Sequence, residues 1–283
     1  MIPHVAFLGP KGSFSHRVTK RLFPEGSQQL PCKNFNEVFE TASNQGGFAV
    51  VPLENNTAGA VDPALDLLIK SDLTICAEYH LAVHHALVGV PCQPERLDTL
   101  YAMHQPYHQC ANFLKQQIPH AQWIQCSSSS ESMEKSLTHG KGSAAIGHAK
   151  SALDMGLVVL ERDIQNRQDN STRFALLSSS PPYAGPLDRG SAKRSTIVFT
   201  LEDRPGTLLE ILQLFQSYQL NMSHIESRPS EDPAWNYNFL VTLESPNGDK
   251  NQLKQALDRV KAKAPWSRQL GTYSILFEPD EIK

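Results

Sequence analysis

The 283 residues are 40% apolar and 19% charged, with 16 Gly and 19 Pro; this is the balance of an ordered globular protein, not a disordered, collagenous or coiled-coil one, and the length suits a medium domain plus a small one. Lys and Arg total 26 against 29 Asp and Glu, a net charge of -3, so no basic field draws nucleic acid or anionic lipid. No apolar run approaches the roughly 18 to 20 residues of a membrane span, and the first ten residues lack a signal-peptide layout, so a cytoplasmic protein without membrane partners is expected.

Strands are predicted at Val5–Leu8, Phe48–Leu53 and Ala144–Gly147, and helices at Glu37–Asn44, Pro63–Lys70, Gln109–Gln117 and Glu131–His139. This alternation implies an α/β domain with largely parallel sheets. From Ser178 the chain turns Ser-, Pro- and Gly-rich without apolar periodicity, the texture of a linker. Beyond it, Thr196–Leu201 reads as a strand and Leu208, Ile211, Leu212 and Phe215 share one helix face. Strands at Met222–Ser227 and Tyr237–Leu243, a helix at Gln252–Lys263 and a last strand within Gly271–Phe277 complete a βαββαβ order, the ferredoxin-like arrangement. The expected domains are 1–180, a linker at 181–195, and 196–278.

Gly9-Pro10-Lys11-Gly12-Ser13-Phe14-Ser15 joins the first strand to a helix. Its N–H groups, Lys11 and hydroxyls suit an anion at a helix N-terminus, and a strand-to-helix turn with two glycines explains the same residues equally well. It is no Walker A loop, because the Lys precedes the Gly. Glu54-Asn55-Asn56-Thr57 puts a carboxylate, two amides and a hydroxyl at the carboxyl end of an apolar strand, where open α/β sheets bind ligands, although capping of the next helix also accounts for them. In Asn170-Ser171-Thr172-Arg173-Phe174, strand alternation sends Thr172 and Arg173 to opposite faces, so only one can serve a given pocket. His80, His84 and His85 cluster, but not at a ligand spacing, and the five cysteines (Cys32, Cys76, Cys92, Cys110, Cys126) form no Cys-x-x-Cys pair. Neither a metal site nor a disulfide framework is expected.

Together the Gly9–Ser15, Val51–Asn55, Gln105–Cys110 and Asn170–Phe174 stretches, followed by Glu226-Ser227-Arg228-Pro229, resemble the prephenate dehydratase family in order and spacing over nearly the whole chain. The resemblance implies a two-lobed catalytic domain similar to periplasmic binding proteins, followed by an ACT domain that binds phenylalanine as feedback inhibitor. It makes Thr172 the essential hydroxyl with Asn55, Gln109 and Glu54 as catalytic partners, and Lys11, Ser13, Ser128, Ser129, Arg173 and Phe174 as substrate contacts. For the effector it implies Pro205, Gly206, Thr207, Leu208, Asn221, Glu226, Ser227, Arg228 and Pro229. The chain departs from the family where Ala102 replaces a usual serine, Asn56 a Ser or Thr, and Thr207 an Ala.

The implied reaction is a carbon–oxygen lyase step without cofactor or metal: prephenate loses CO2 and its ring hydroxyl to give phenylpyruvate. Thr172 is then a positioned donor and not a strong acid. Glu54 is expected turned away or protonated, because an ionised carboxylate there repels the substrate. Arogenate dehydration and a non-catalytic amino-acid sensor are the alternatives, and decarboxylation without dehydration fits less well given Thr172. A homodimer or homotetramer is implied by the family alone.

Overall fold

The computed structural model describes residues 3–23, 26–44, 47–179, 194–230, 237–245 and 247–277. Most of the expected linker, residues 181–193, lies outside the described residues, and Arg194 and Ser195 already belong to a strand. Among the described residues no helix is long and apolar enough to cross a membrane.

The first lobe runs β1 (His4–Leu8), α1 (Phe14–Leu22), β2 (Gln28–Cys32), α2 (Phe35–Asn44), β3 (Phe48–Asn55), β4 (Gly59–Ala60), α3 (Asp62–Lys70) and β5 (Thr74–Ala82). The second holds β6 (Ala86–Gly89), β7 (Thr99–Ala102), α4 (His104–Gln109), α5 (Ala111–Gln117), β8 (Gln122–Gln125), α6 (Ser129–His139), β9 (Ser143–Gly147), α7 (Ala149–Asp154) and β10 (Val158–Glu161). The chain then returns to the first lobe as β11 (Ser171–Ser178). Helix α2 starts two residues before the expected Glu37 because Asn34 Oδ1 accepts from Glu37 N at 2.9 Å while Glu37 Oε2 accepts from Lys33 N at 2.7 Å, a reciprocal cap. The helix expected at Gln109–Gln117 is instead two helices, broken at Cys110, whose N–H is shared between the carbonyls of Pro106 and Tyr107.

Neither sheet is largely parallel. Strand β1 pairs parallel with β2 and β3, but β11 lies antiparallel between β3 and β5. In the second lobe β7 is parallel to β8 and β9 while β6 is antiparallel to β9 and β10. The reason is the return: a strand coming back from the second lobe enters the first sheet in the opposite direction.

The C-terminal domain runs β12 (Arg194–Thr200), α8 (Thr207–Ser217), β13 (Asn221–Pro229), β14 (Tyr237–Glu244), α9 (Lys250–Lys263) and β15 (Trp266–Phe277). Its strands pair antiparallel in the order β13-β14-β12-β15, the split-βαβ topology. Ile197, Phe199, Val241 and Leu243 face the two helices and pack with Ile211, Phe215, Leu253 and Leu257. The other face is covered as well: Val198, Leu240, Leu270 and Tyr273 share one core with Leu65 and Leu68 of α3 and with Leu73 and Ile75. Strand β12 is therefore buried on both sides.

Strand β15 also joins the two domains. It starts at Trp266, earlier than the expected Gly271, because its first half pairs with β12. Its end, Ser274–Phe277, pairs parallel with Ala77–His80 of β5, so one sheet continues through both domains. At the changeover Gly271 has φ +151, and a Cβ there would overlap the Ile75 carbonyl oxygen. Side chains reinforce the seam. Arg228 of β13 grips α3 through Asp62 (Nη1–Oδ1, 2.6 Å) and Asp66 (Nε–Oδ1 and Nη2–Oδ2, both 2.9 Å). Arg268 of β15 donates to the carbonyls of Leu68 and Ser71 at the other end of that helix.

Beneath the seam Glu78 of β5, 1% exposed, meets His80 Nε2 at 2.6 Å, Arg194 Nη1 at 2.8 Å and Arg173 Nε at 3.9 Å. Burial alone would raise its pKa, but the His80 hydrogen bond and the two arginines outweigh burial and hold it below the usual carboxylate range. Removing that charge leaves Arg173 only Glu54 (3.2 Å) and Arg194 only Glu244 (3.6 Å) as carboxylate partners, so Glu78→Gln should lower unfolding free energy by about 3 kcal/mol in urea denaturation. By the same measurement Gly271→Ala should cost about 2 kcal/mol or more, from backbone strain and the clash with Ile75.

Candidate active site

A cleft of ≈ 410 Å³ lies between the lobes. It opens at the carboxyl ends of β1 and β3 on one side and of β7 and β9 on the other, the position that open α/β sheets use for ligands. The chain crosses between lobes at Val83–His85 and again before β11; Val83 N donates to Asn170 O (2.8 Å) and Ile164 N to His85 O (3.0 Å). Hydroxyls bridge the lobes near the cleft, Ser130 to Lys11 O and Ser151 to Gly12 O, each at 3.3 Å.

Two helices aim their N-termini into the cleft, α1 from the first lobe and α6 from the second. Ser13 caps α1 by accepting from His16 N (3.3 Å), and Ser128 caps α6 by accepting from Glu131 N (3.0 Å). Each first turn still presents unpaired N–H groups and the positive end of the helix dipole. Gly12, at φ +91, makes the turn ahead of α1. Among the described lining residues there is no Lys, Arg, Asp or Glu. An anion here is met by dipoles and hydroxyls, not by counter-ions.

The two charged substrate contacts that the resemblance implies, Lys11 and Arg173, are thus absent from the described lining of the cleft. Lys11 is exposed and does not line it. Arg173 points to the opposite face of β11, where it is 3.2 Å from Glu54 and faces Glu78. Glu54 likewise leaves the cleft, lying between Arg173 and His224 Nδ1 (3.4 Å). Burial, then the neighbouring Arg173, pushes His224 below its ordinary value despite Glu54 and Glu78. Pro52, Asn55, Thr172 and Phe174 all line the cleft. Pro52 and Asn55 are three apart, yet both face it because a bulge leaves Leu53 without a partner: Thr172 pairs with Asn55 and Phe174 with Pro52.

Asn55 is the centre of the polar network. Its Oδ1 accepts from Thr57 N (3.1 Å), Ala58 N (3.0 Å) and Thr57 Oγ1 (2.6 Å). Backbone N–H groups only donate, so they fix the orientation of the amide. Its Nδ2 therefore donates to Thr172 Oγ1 and Asn170 Oδ1, each at 2.9 Å. With a lone pair so occupied, the Thr172 hydroxyl is set to donate its own proton. Gln109, from the second lobe, reaches Thr57 Oγ1 at 2.7 Å and His85 Nε2 at 2.9 Å. Asn56 ties the loop down through Ser171 N (3.0 Å) and Asp169 O (2.6 Å).

Ser13, Ser128 and Ser129 line the cleft, though Ser13 Oγ is engaged by Leu8 O (3.1 Å) and His16 N. The sequence reading gives no catalytic role to Thr57, Asn170, His85 or His148. Thr57 and Asn170 sit inside stretches already singled out, but His85 was weighed only as a metal ligand, and no local pattern pairs it with Gln109. His148 also lines the cleft; burial, then nearby Arg17, His84 and His85, lowers its pKa to about 3. Among the described residues no three His, Cys, Asp or Glu side chains form a metal-binding group.

The expected effector residues divide along α8. Gly206, at φ +92, precedes the helix and Asn221 follows it; 11 residues at 1.5 Å each separate these ends by about 16 Å. Strand β13 brings Glu226–Pro229 back toward the Gly206 end, while the Arg228 guanidinium is already held by Asp62 and Asp66.

The prephenate dehydratase family model matches residues 5–182, and the ACT domain model matches residues 195–264. The bifunctional chorismate mutase/prephenate dehydratase of Aquifex aeolicus is 30% identical over 270 residues, covering 95% of this chain and 73% of that protein. Its counterpart in Stutzerimonas stutzeri is 32% identical over 273 residues, covering 95% and 72%. A prephenate dehydratase from Arthrobacter aurescens, solved in complex with L-Phe, superposes with a TM-score of 0.83 at 29% identity, covering 96% of this chain and 90% of that one. The family match over both lobes, with these relatives beside it, makes the chain a member of the prephenate dehydratase family with an ACT domain behind the catalytic lobes.

Proposed function

We infer that this protein converts prephenate to phenylpyruvate and is inhibited by phenylalanine. The observation that carries the reading is the Thr172 hydroxyl, oriented by Asn55 to donate into a cleft with no Lys, Arg, Asp or Glu among its described lining residues. The carboxylate that persists is held by the N–H groups opening α1 and α6. The ring carboxylate loses its charge as CO2, which a dry site favours over water. Its C–C bonding pair becomes ring π density, the ring C–O bond breaks, and hydroxide leaves under a hydrogen bond from Thr172 and departs as water with a solvent proton. Threonine is too weak an acid to remain deprotonated, so its role is to stabilise the leaving oxygen.

The cleft also discriminates between substrates. Arogenate carries an ammonium where prephenate has a keto group, and among the described lining residues no carboxylate is present to pair with it. An unpaired charge in such a site is disfavoured.

For the effector, antiparallel pairing of two β13 edges from separate copies would set Asn221 of one opposite the 226–229 segment of the other. That arrangement reunites residues which α8 separates in one chain, and it favours a dimer built through the ACT domains. The signal then has a physical route: Arg228 holds α3 through Asp62 and Asp66, and α3 begins directly after Val61, a cleft residue on the loop that follows Asn55.

Absorbance of phenylpyruvate, followed with purified protein, prephenate and no added cofactor, tests the reaction. Thr172→Ala should lower kcat by about 10²-fold or more with a far smaller change in KM; unchanged kcat removes Thr172 from the chemistry. The ratio of kcat/KM for prephenate over arogenate should be about tenfold or greater. Asp66→Asn, which halves the hold of α3 on Arg228, should raise the phenylalanine concentration for half-inhibition by about fivefold or more.

A further inference from the structure

The amide orientation at Asn55 can be followed outward. Its Oδ1 accepts and cannot donate, so Thr57 Oγ1, 2.6 Å away, must give it a proton. With that proton committed, Thr57 can only accept at its 2.7 Å contact with Gln109, which therefore presents its amide nitrogen there. The Gln109 Oε1 is left facing His85 Nε2 at 2.9 Å, and an amide oxygen accepts, so Nε2 carries the hydrogen.

We propose that His85 and Thr57 are positioning residues for the dehydration, forming with Gln109 and Asn55 a one-way chain of hydrogen-bond donors that ends on Thr172 and directs its hydroxyl proton into the cleft. The leaving group in this inference comes from the dehydratase reading above; the direction of the chain does not. Each donor in such a series polarises the next, by roughly 10 to 30% per bond, so the Thr172 hydroxyl becomes a better donor than an isolated threonine without acquiring a charge. The series also spans both lobes. Gln109 stands on the second lobe, His85 on the crossing, and Thr57, Asn55 and Thr172 on the first.

His85 is suited to the head of this chain. It is 3% exposed, its backbone N–H is held by Gln165 Oε1 at 2.9 Å, and the Phe14 ring stands edge-on at 6.4 Å. Burial, with His84 adding to it, holds its pKa below the ordinary histidine value although the Gln109 hydrogen bond opposes this. One ring nitrogen therefore carries the proton, and Gln109 selects Nε2.

The test combines steady-state kinetics with nitrogen NMR of the full-length protein labelled at histidine. Thr57→Val keeps the shape of the side chain and removes the hydroxyl; kcat should fall at least about tenfold while KM changes less than about threefold. Thr57→Ser should restore kcat to within about threefold. His85→Gln, whose amide nitrogen can stand where Nε2 does, should retain more activity than His85→Leu. In the unsubstituted protein His85 should show a protonated, pyrrole-type Nε2 and an unprotonated Nδ1. The opposite tautomer, or unchanged kcat in Thr57→Val, overturns the proposal even if the enzyme makes phenylpyruvate. If the unsubstituted enzyme makes none, the dehydratase reading fails, and the tautomer still decides the direction of the chain.

Discussion

The position of β11 between β3 and β5 is the constraint on which the rest of this molecule depends. A strand returning from the second lobe is inserted into the middle of the first sheet, antiparallel to both neighbours. Its upper end sets Thr172 beside Asn55, and the bulge at Leu53 brings Pro52 and Asn55 to the same face. Strand alternation then separates two kinds of chemistry on one backbone. Thr172 and Phe174 face a cleft with no Lys, Arg, Asp or Glu among its described lining residues, and Arg173 between them enters the charge network around Glu78.

This separation accounts for the character of the site. A dianion in a cleft lined by cations would be bound tightly before and after reaction, whereas preorganised N–H dipoles and hydroxyls need no reorganisation as charge moves within the substrate. Charged groups remain necessary, but the structure uses them elsewhere. Glu78 with Arg173 and Arg194 holds the catalytic sheet to the C-terminal domain, and Arg228 and Arg268 hold α3 at its two ends. The positioned donors and the interdomain charges meet along β3 and β11, where Asn55 adjoins Glu54 and Thr172 adjoins Arg173.

The C-terminal domain is consequently less separable than a domain joined only by a linker. Its sheet buries Val198, Leu240, Leu270 and Tyr273 against α3 and β5, and β15 extends the catalytic sheet. In the proposed regulation a ligand that shifts β13 acts on α3 through Arg228, and α3 closely follows the turn after Asn55 that carries Thr57. Distance along the sequence is no guide to that coupling; packing is.

By itself the sequence determined the alternation of strands and helices and the βαββαβ order of the second domain, because periodicity and turn chemistry are local and legible in a single chain; the stretches around Asn55, Gln109 and Thr172 stood out through their resemblance to the family. It also established that Thr172 and Arg173 face opposite ways. Which of them faces the cleft was decided only by tertiary structure, because it depends on the register of β11 against β3 and β5. The same is true of Gln109 reaching Thr57 across 52 residues and of Arg228 holding Asp66 across 162. Strand β12 reads as an ordinary half-buried strand but is buried on both faces, because its second face is supplied by the other domain. Such contacts arise from lobe packing and strand register, which leave no period in the sequence, so Asn55, Gln109 and Thr172 could be picked out while His85, and the partners and directions of all four, could not.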